Sequence, residues 1–173
     1  MVLIRSVFTT VVKEPKKLQE ALCGNIKMKL IFNFTTNFSN MIILYCDGSC
    51  IGNPGYGGWA VCLIENDIEF YLSGNEKMTT NNRMELTAII ESLSCVKHNL
   101  ECNIYTDSQL CINCATGKWG RKANLDLWKE YDKVSKNKKI SFTWVKGHSG
   151  DKYNEIVDKL AYTEAKNLKE LKE

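Results

Sequence analysis

A short apolar run that ends at an aspartate occurs twice in this chain, and this pattern limits the possible folds more than any other. Residues 42–46 (IILYC) lead into Asp47, and residues 102–106 (CNIYT) lead into Asp107. Continuous apolar runs of this length indicate strands that are buried on both faces. Right-handed crossover connections favour parallel pairing of two such strands, which would bring both aspartates to one edge of a sheet. The pattern therefore predicts an α/β fold.

The periodicity of the remaining segments predicts the element order βββαβααβα. Residues 58–64 and 67–73 are strand-like and are joined by the polar pair Glu65-Asn66, which indicates an antiparallel hairpin. Residues 80–97 carry apolar side chains at spacings of three and four, which is typical of an amphipathic helix. Further helices are predicted to begin at residue 108 and to span 125–134 and 152–169, with a fifth strand at 140–145.

The first forty residues differ in pattern from the rest of the chain. They contain the stretch KEPKKLQEALCG and the apolar run LIFNF, but no set of residues that indicates chemistry. Their scattered basic residues are weakly typical of a mitochondrial presequence, and the acids among them argue against it. We predict that residues 1–40 are an appendage of unknown role, or that they precede a true start at Met41. Residues 41–168 are predicted to form one domain and 169–173 a C-terminal tail.

Composition narrows the class of protein. A hydrophobic content of 44% and a formal charge of +3 are ordinary for a globular chain. Eight cysteines are present with only two histidines, and they do not form the paired CxxC units of a structural zinc site. Reduced thiols fit best, so we expect a cytoplasmic location. No apolar run approaches the roughly 18 residues that cross a membrane, so we expect no membrane partner.

Basic residues are concentrated in one stretch of the second half of the chain. A solvated helix face explains such a stretch more often than nucleic-acid binding does, so this feature alone does not decide between the two. The residues are Lys118, Arg121, Lys122, Lys129, Lys133, Lys136, Lys138, Lys139 and Lys146.

Two more acids are candidates for the same site as Asp47 and Asp107. Glu85 lies in the first turns of the helix predicted at 80–97, and Asp158 lies on the last helix. A single aspartate after a strand is more often a turn or helix cap. Carboxylates that converge, however, repel one another unless cations neutralise them, and hard oxygen ligands favour Mg²⁺ or Mn²⁺. Four such acids have the composition of a two-metal phosphodiesterase site.

His148 lies in the segment WVKGHSG, directly after the predicted fifth strand. A single histidine is usually a surface or structural residue. Here Gly147 and Gly150 flank it and indicate a mobile loop. An imidazole on such a loop could titrate near neutral pH and transfer a proton. We therefore treat His148 as a candidate catalytic residue.

Five motifs together resemble the type 1 ribonuclease H family. They are CDGSCIGNPGYGGWA, TTNNRMELTAII, IYTDSQL, TWVKGHSG and NEIVDKLA, and they follow one another over residues 41–165. The resemblance implies a five-stranded mixed sheet flanked by helices. It also implies an endonuclease that hydrolyses the RNA strand of RNA–DNA hybrids. We expect the protein to act as a monomer on that substrate.

The resemblance also implies a mechanism. Asp47, Glu85, Asp107 and Asp158 match the family's metal-binding acids, and His148 matches its flexible-loop histidine. In that family two Mg²⁺ ions bind the scissile phosphate, where one activates the attacking water and the other stabilises the leaving 3′ oxygen. The products carry 5′-phosphate and 3′-hydroxyl ends. The histidine assists proton transfer or product release, and Mn²⁺ is an expected substitute for Mg²⁺.

Substrate contacts are implied by the same resemblance. One group would lie along the RNA minor groove, where the family reads ribose 2′-hydroxyls: Gly48, Ser49, Cys50, Asn53, Asn81 and Gln109. In an arbitrary sequence, Asn81 and Gln109 are more often caps or helix-surface residues. Thr80 and Asn124 match a pocket for a DNA phosphate, and phosphate contacts carry no sequence information. An aromatic surface for the DNA strand includes Trp119 and Trp128, for which core packing is at least as common.

Two departures from the family pattern bear on affinity. Many bacterial members carry a long basic helix and loop where this chain has only residues 120–123 (GRKA), and Met78 stands where several relatives have an arginine. We expect a weaker hold on the DNA strand.

Two alternatives remain at this point. The chain could be the ribonuclease H domain of a reverse-transcribing element, or a hybrid-binding module without catalysis, although the four acids argue against the latter.

Overall fold

The computed structural model describes residues 41–171, which follow the predicted order βββαβααβα. The strands are β1 (Ile42–Ile51), β2 (Gly55–Glu65), β3 (Ile68–Thr79), β4 (Glu101–Thr106) and β5 (Lys139–Trp144). The helices are α1 (Asn81–Cys95), α2 (Gln109–Ala115), α3 (Leu125–Ser135) and α4 (Lys152–Glu170). Because α4 continues to Glu170, the predicted tail boundary at residue 169 falls in its last turn. The predicted appendage, residues 1–40, lies outside the described residues.

The five strands form one mixed sheet in the order β3-β2-β1-β4-β5. β2 pairs antiparallel with β1 and β3, whereas β4 pairs parallel with β1 and β5. β1 is therefore the central strand, which agrees with its continuous apolar run. Its parallel neighbour is the strand that leads into Asp107, so the pairing predicted from the two apolar runs is confirmed.

Several strand boundaries differ from the prediction, and the largest difference is that β3 continues to Thr79 instead of ending at residue 73. Asp47 does not end its strand, because β1 continues for four more residues, to Ile51, in antiparallel pairing with β2. The hairpin turn consists of Asn66 and Asp67 rather than Glu65 and Asn66. Glu65 pairs with Ile68 across the hairpin. Asn66 and Asp67 have φ values of 51° and 60°, as a two-residue type I′ turn requires.

The sheet separates two apolar layers. On one face, α1 and α3 cover Leu44, Cys46 and their neighbours; on the other face, α4 packs against Tyr45 and Ala60. Since successive side chains of a strand point to opposite faces, Asp47 lies on the same face as Tyr45, the face that α4 covers.

The seven cysteines within residues 41–171 are free thiols. None of the helices described between those residues has the length and apolar content that a membrane span needs.

Candidate active site

The parallel register of β1 and β4 brings Asp47 and Asp107 to the same level of the sheet. The last pair of the ladder is Tyr45 with Tyr105, and the two acids follow two residues further along each strand. Asp47 is only 6% exposed, and its Oδ1 accepts a 2.8 Å hydrogen bond from the N–H of Gly48. The two carboxylates therefore lie side by side where the parallel ladder ends.

Glu85 reaches these acids because α1 packs directly on the backbone of β1. A Cβ atom at Gly48 would lie 2.1 Å from the backbone nitrogen of Glu85 and 2.2 Å from the carbonyl carbon of Met84. No side chain fits in such a space. Glycine at position 48 thus allows the first turns of the helix to approach the strand next to Asp47.

Hydrogen bonds hold the Glu85 carboxylate on both sides. Ser108, the N-cap of α2, donates its hydroxyl to Glu85 Oε2 at 2.5 Å. Asn81 donates its Nδ2 amide to Glu85 Oε1 at 2.9 Å. The backbone N–H of Asn81 in turn donates to Asn53 Oδ1 at 3.1 Å. The turn after β1, the start of α1 and the start of α2 are therefore linked through this carboxylate.

Asp158 and His148 lie on the face of the sheet that α4 covers, the same face as Asp47 and the face opposite to α1 and Glu85. Asp158 lies on α4, and its Oδ2 is 3.6 Å from Nδ1 of His148, whose side chain is 79% exposed. The loop that carries the histidine also lies against Asp107. A Cβ atom at Gly147 would be 2.5 Å from Asp107 Oδ2, so the loop backbone contacts the carboxylate there. All five residues predicted to be catalytic thus come together at one edge of the sheet.

The electrostatics of the site follow from burial and from the mutual repulsion of the acids. Burial raises the pKa of Asp47 to about 8, and the negative charges of Asp107, Asp158 and Glu85 contribute in that order. Burial also raises the pKa of Glu85, an effect that its hydrogen bond from Ser108 opposes. The pKa of Asp107 is raised by burial and by Asp158. Divalent cations would reverse these effects, and carboxylate oxygens are the ligands that hard cations prefer.

The residues predicted to read the RNA groove lie beside this cluster. Gly48, Ser49 and Cys50 form the second half of β1, beyond Asp47. Asn53 and Asn81 are joined by the hydrogen bond described above, and Gln109 is the exposed first residue of α2. Gly48 is buried against the backbone of α1, whereas Asn53 and Gln109 are exposed and the other three are half-buried.

Thr80 and Asn124, the predicted phosphate pocket, are the N-caps of α1 and α3. Arg83 links them. Its backbone N–H donates to Thr80 Oγ1 at 3.4 Å, and its Nη1 lies 3.5 Å from Asn124 Oδ1. The guanidinium also pairs with both carboxylate oxygens of Asp126, at 3.0 and 2.8 Å. Asn124 makes no side-chain capping bond to its own helix. Arg83 thus bridges the N-termini of two helices, and helix N-termini favour anions.

Of the two tryptophans considered for contact with the DNA strand, only Trp119 lies at the surface. Trp119 is 50% exposed, whereas Trp128 is 5% exposed and belongs to the core between α1 and α3. The Arg121 guanidinium stacks 4.3 Å above the Trp128 ring and pairs with Asp132 at 2.8 Å. Of the two alternatives left open for Trp128, the structure therefore shows core packing, because apolar packing under Arg121 buries its ring.

Three residues of the site were not predicted. Ser108 could have been found as a helix cap directly after Asp107. The sequence around Arg83 gives no comparable indication of its role, because its partner Asp126 is 43 residues away along the chain. The indole N–H of Trp144 donates to the carbonyl oxygen of Asp107 at 3.1 Å. That contact depends on the parallel pairing of β4 and β5, which the sequence does not show.

Comparison with known proteins agrees with this geometry. A family model for RNase H matches residues 39–166. The chain is 43% identical over 134 residues to the Ribonuclease H of Wolbachia pipientis wMel, an alignment that covers 69% of this chain and 92% of the relative. It is 47% identical over 130 residues to the Ribonuclease H of a Campylobacter jejuni strain, covering 69% of this chain and 88% of the relative.

Solved structures show the same fold at lower sequence identity. The N-terminal RNase H domain of a Mycobacterium tuberculosis protein has a TM-score of 0.68 at 21% identity, covering 77% of this chain and 99% of that domain. LC11-RNase H1 in complex with an RNA/DNA hybrid has a TM-score of 0.63 at 21% identity, covering 73% of this chain and 98% of that one. The match to the family model and the identity to the two relatives show that this chain belongs to the RNase H family of enzymes.

Proposed function

We propose that this chain is an endoribonuclease that hydrolyses the RNA strand of RNA–DNA hybrids and leaves 5′-phosphate and 3′-hydroxyl ends. The observation that carries the proposal is the convergence of four acids, from β1, α1, α4 and the end of β4, at one sheet edge. Two further findings support it. The curated relatives are named Ribonuclease H, and LC11-RNase H1 was solved with an RNA/DNA hybrid.

The four carboxylates fit two Mg²⁺ ions, with Mn²⁺ as a substitute. The fit rests on their all-oxygen ligand set and on the buried Asp47, whose pKa is raised to about 8 by burial and by the neighbouring acids despite the hydrogen bond from Gly48. Bound there, the ions would supply an activated water and stabilise charge on the leaving oxygen. Asp47, Glu85, Asp107 and Asp158 would hold them. The hydrogen bonds to Glu85 from Ser108 and Asn81 would fix the direction of its oxygens.

The other residues would bind and orient the hybrid. Asn81 donates its Nδ2 amide to Glu85, so its Oδ1 is the atom that would accept from a ribose 2′-hydroxyl, the group that distinguishes RNA from DNA. Thr80 and Asn124 would hold a phosphate of the DNA strand. Because these contacts address sugars and phosphates, cleavage should be largely independent of sequence.

The direct test is cleavage of an end-labelled RNA–DNA hybrid with Mg²⁺, with Mn²⁺ and with a chelator. Single-stranded RNA, duplex RNA and duplex DNA are the control substrates. Metal-dependent cutting of the RNA in the hybrid alone, with fragments that carry 5′-phosphates, is the expected result. Binding of the hybrid without any cutting would point instead to a non-catalytic binding module. Cutting of single-stranded RNA would contradict the proposed substrate.

We also propose that the enzyme is a cytoplasmic monomer. The free thiols within residues 41–171 are compatible with a reducing compartment, and all four acids come from one chain. Light scattering of the active protein, and microscopy of a tagged copy in its native cell, would test the two statements separately.

Replacing His148 with alanine should lower kcat by about 10²-fold and leave KM nearly unchanged, because a positioned proton carrier typically contributes this much. The exposed imidazole lies beside Asp158 and does not support the core. His98→Ala is the matched control, since His98 is exposed and contacts the backbone of Lys136. Steady-state kinetics on the hybrid give both constants. A His148→Ala protein as fast as the His98→Ala protein would remove the histidine from the mechanism.

Replacing Met78 with arginine should strengthen hybrid binding about fivefold at low salt, because it adds one cation near the DNA phosphates. Met78 is 77% exposed and lies two residues before Thr80. The slope of log affinity against log salt should steepen by about 0.9. Leu171→Arg adds the same charge at the far end of α4 and should change neither quantity. Fluorescence anisotropy at several salt concentrations measures both, and an unchanged slope would contradict the placement of the phosphate pocket.

A further inference from the structure

Glu155 links the loop that carries His148 to the helix behind it. The N–H of Gly150 donates a 3.2 Å hydrogen bond to Glu155 Oε1. His148 and Gly150 have φ values of 51° and 87°, so the chain turns sharply around the histidine. Helix α4 does not need this bond for its own start, because Asp151 already caps its first backbone N–H groups at 3.0 and 3.1 Å. The carboxylate of Glu155 therefore stabilises the loop rather than the start of the helix.

Glu155 also lies next to the imidazole. His148, Glu155 and Asp158 each place one nitrogen or oxygen atom within 4.8 Å of the others. Glu155 and Asp158 are three residues apart on α4, so they project from the same face of the helix. One carboxylate thus holds the backbone of the loop, while the other faces the ring of the histidine.

We propose that Glu155 is a positioning residue that keeps the His148 imidazole beside Asp158 through the backbone of Gly150. This inference rests on the proposed function, in which His148 carries a proton at the reacting phosphate. The histidine is highly exposed and lies between two glycines. Within its loop the Ser149 hydroxyl donates to the carbonyl oxygen of Lys146 at 2.6 Å, whereas the bond from Gly150 to Glu155 ties the loop to α4. A misplacement of about 1 Å can reduce turnover by as much as 10²-fold. The role proposed for Glu155 is to hold the loop, not to contact the reacting atoms.

The kinetic test compares Glu155→Ala, Glu155→Gln and the double variant with His148→Ala. Glu155→Ala should lower kcat about tenfold and leave KM nearly unchanged. Glu155→Gln keeps an oxygen that accepts from Gly150, so its kcat should stay within about twofold of the wild type. In the His148→Ala background, Glu155→Ala should have no further effect, because the two residues act through one step. Glu170→Gln, on the same helix, is the control.

Two measurements on the metal-free and metal-titrated proteins do not depend on activity. Exchange of the Gly150 amide hydrogen, followed by NMR, should be faster in Glu155→Ala than in the wild type and unchanged in Glu155→Gln. Calorimetric titration with Mg²⁺ should give the same affinity for all three proteins. Equal kinetic losses in both variants with weaker Mg²⁺ binding would make Glu155 a metal ligand and overturn the proposal.

The remaining outcomes also decide the matter. Losses that add to that of His148→Ala would mean that Glu155 acts independently of the histidine, and an unchanged kcat in Glu155→Ala would mean that the bond to Gly150 is not needed. Both results overturn the inference while leaving the proposed function intact. A wild-type protein that cuts no hybrid would instead overturn the proposed function, and the role of Glu155 with it.

Discussion

Asp47→Asn should lose more than about 10³-fold in cleavage rate, while its affinity for the hybrid stays within about threefold. The asparagine keeps the shape of the side chain and can still accept from the N–H of Gly48, as Asp47 does at 2.8 Å. It removes the central negative charge of the cluster, which would hold the metal ions. Loss of several kcal/mol of transition-state stabilisation corresponds to this reduction, whereas the sugar and phosphate contacts remain.

The matched control is Asp67→Asn, the same chemical change in the exposed turn between β2 and β3, where asparagine suits the positive φ of 60°. Single-turnover cleavage and anisotropy of a labelled hybrid separate the chemical step from binding. If Asp47→Asn cleaves as fast as Asp67→Asn, the assignment of Asp47 to the metal site is wrong. If hybrid binding falls as far as cleavage, the residue acts in binding instead.

Without metal, the same substitution should make the protein more stable above about pH 8, by up to about 6 kcal/mol, because each tenfold change in proton affinity between the folded and unfolded states corresponds to about 1.4 kcal/mol. Burial, assisted by Asp107, raises the pKa of Asp47 from its ordinary value of 3.8 to about 8. Between these values the folded protein keeps a proton that the unfolded chain has released. Stability of the wild type therefore falls as pH rises from about 4 to about 8. The asparagine side chain of the variant has no proton to lose, so the variant should show a smaller slope.

Urea unfolding in a chelator, at several pH values across this range, measures the free energy of unfolding of both proteins. Glu85 and Asp107, whose pKa values are also raised, should leave the variant with some residual slope. Adding Mg²⁺ should then stabilise the wild type more than the variant, because a ligand stabilises only the state that binds it. Parallel stability curves for the two proteins would show that Asp47 carries no unfavourable charge in the fold.

Much of the fold could be predicted because its signals are local. The two apolar runs, the amphipathic pattern of α1 and the polar hairpin turn each lie within a few residues. The prediction erred where pairing partners decide the boundary. β1 continues past Asp47 because β2 lies alongside it, with Gly48 opposite Trp59 and Ile51 opposite Tyr56. No property of residues 48–51 themselves announces that pairing.

The site was predictable only in part, for a similar reason. The four acids and His148 lie in recognisable motifs, and the structure brings them together. The residues that hold them in place act across long sequence separations: Ser108 bonds Glu85 from 23 residues away, and Trp144 bonds the backbone of Asp107 from 37 residues away. Trp128 could not be assigned from the sequence, since an aromatic residue in a basic segment can belong to either the surface or the core, and the packing of its neighbours decides which.

The contact between Gly48 and α1 bears on how related chains should be judged. Position 48 contributes no side chain to chemistry, yet a single methyl group there would overlap the backbone of Met84 and Glu85. Such a chain could keep every acid and still hold one of them too far away to share a cation with the others. An inventory of acidic residues is therefore not a sufficient criterion of activity in this family. The residue that follows the first acid, Gly48 in this chain, has to be compared as well as the acids.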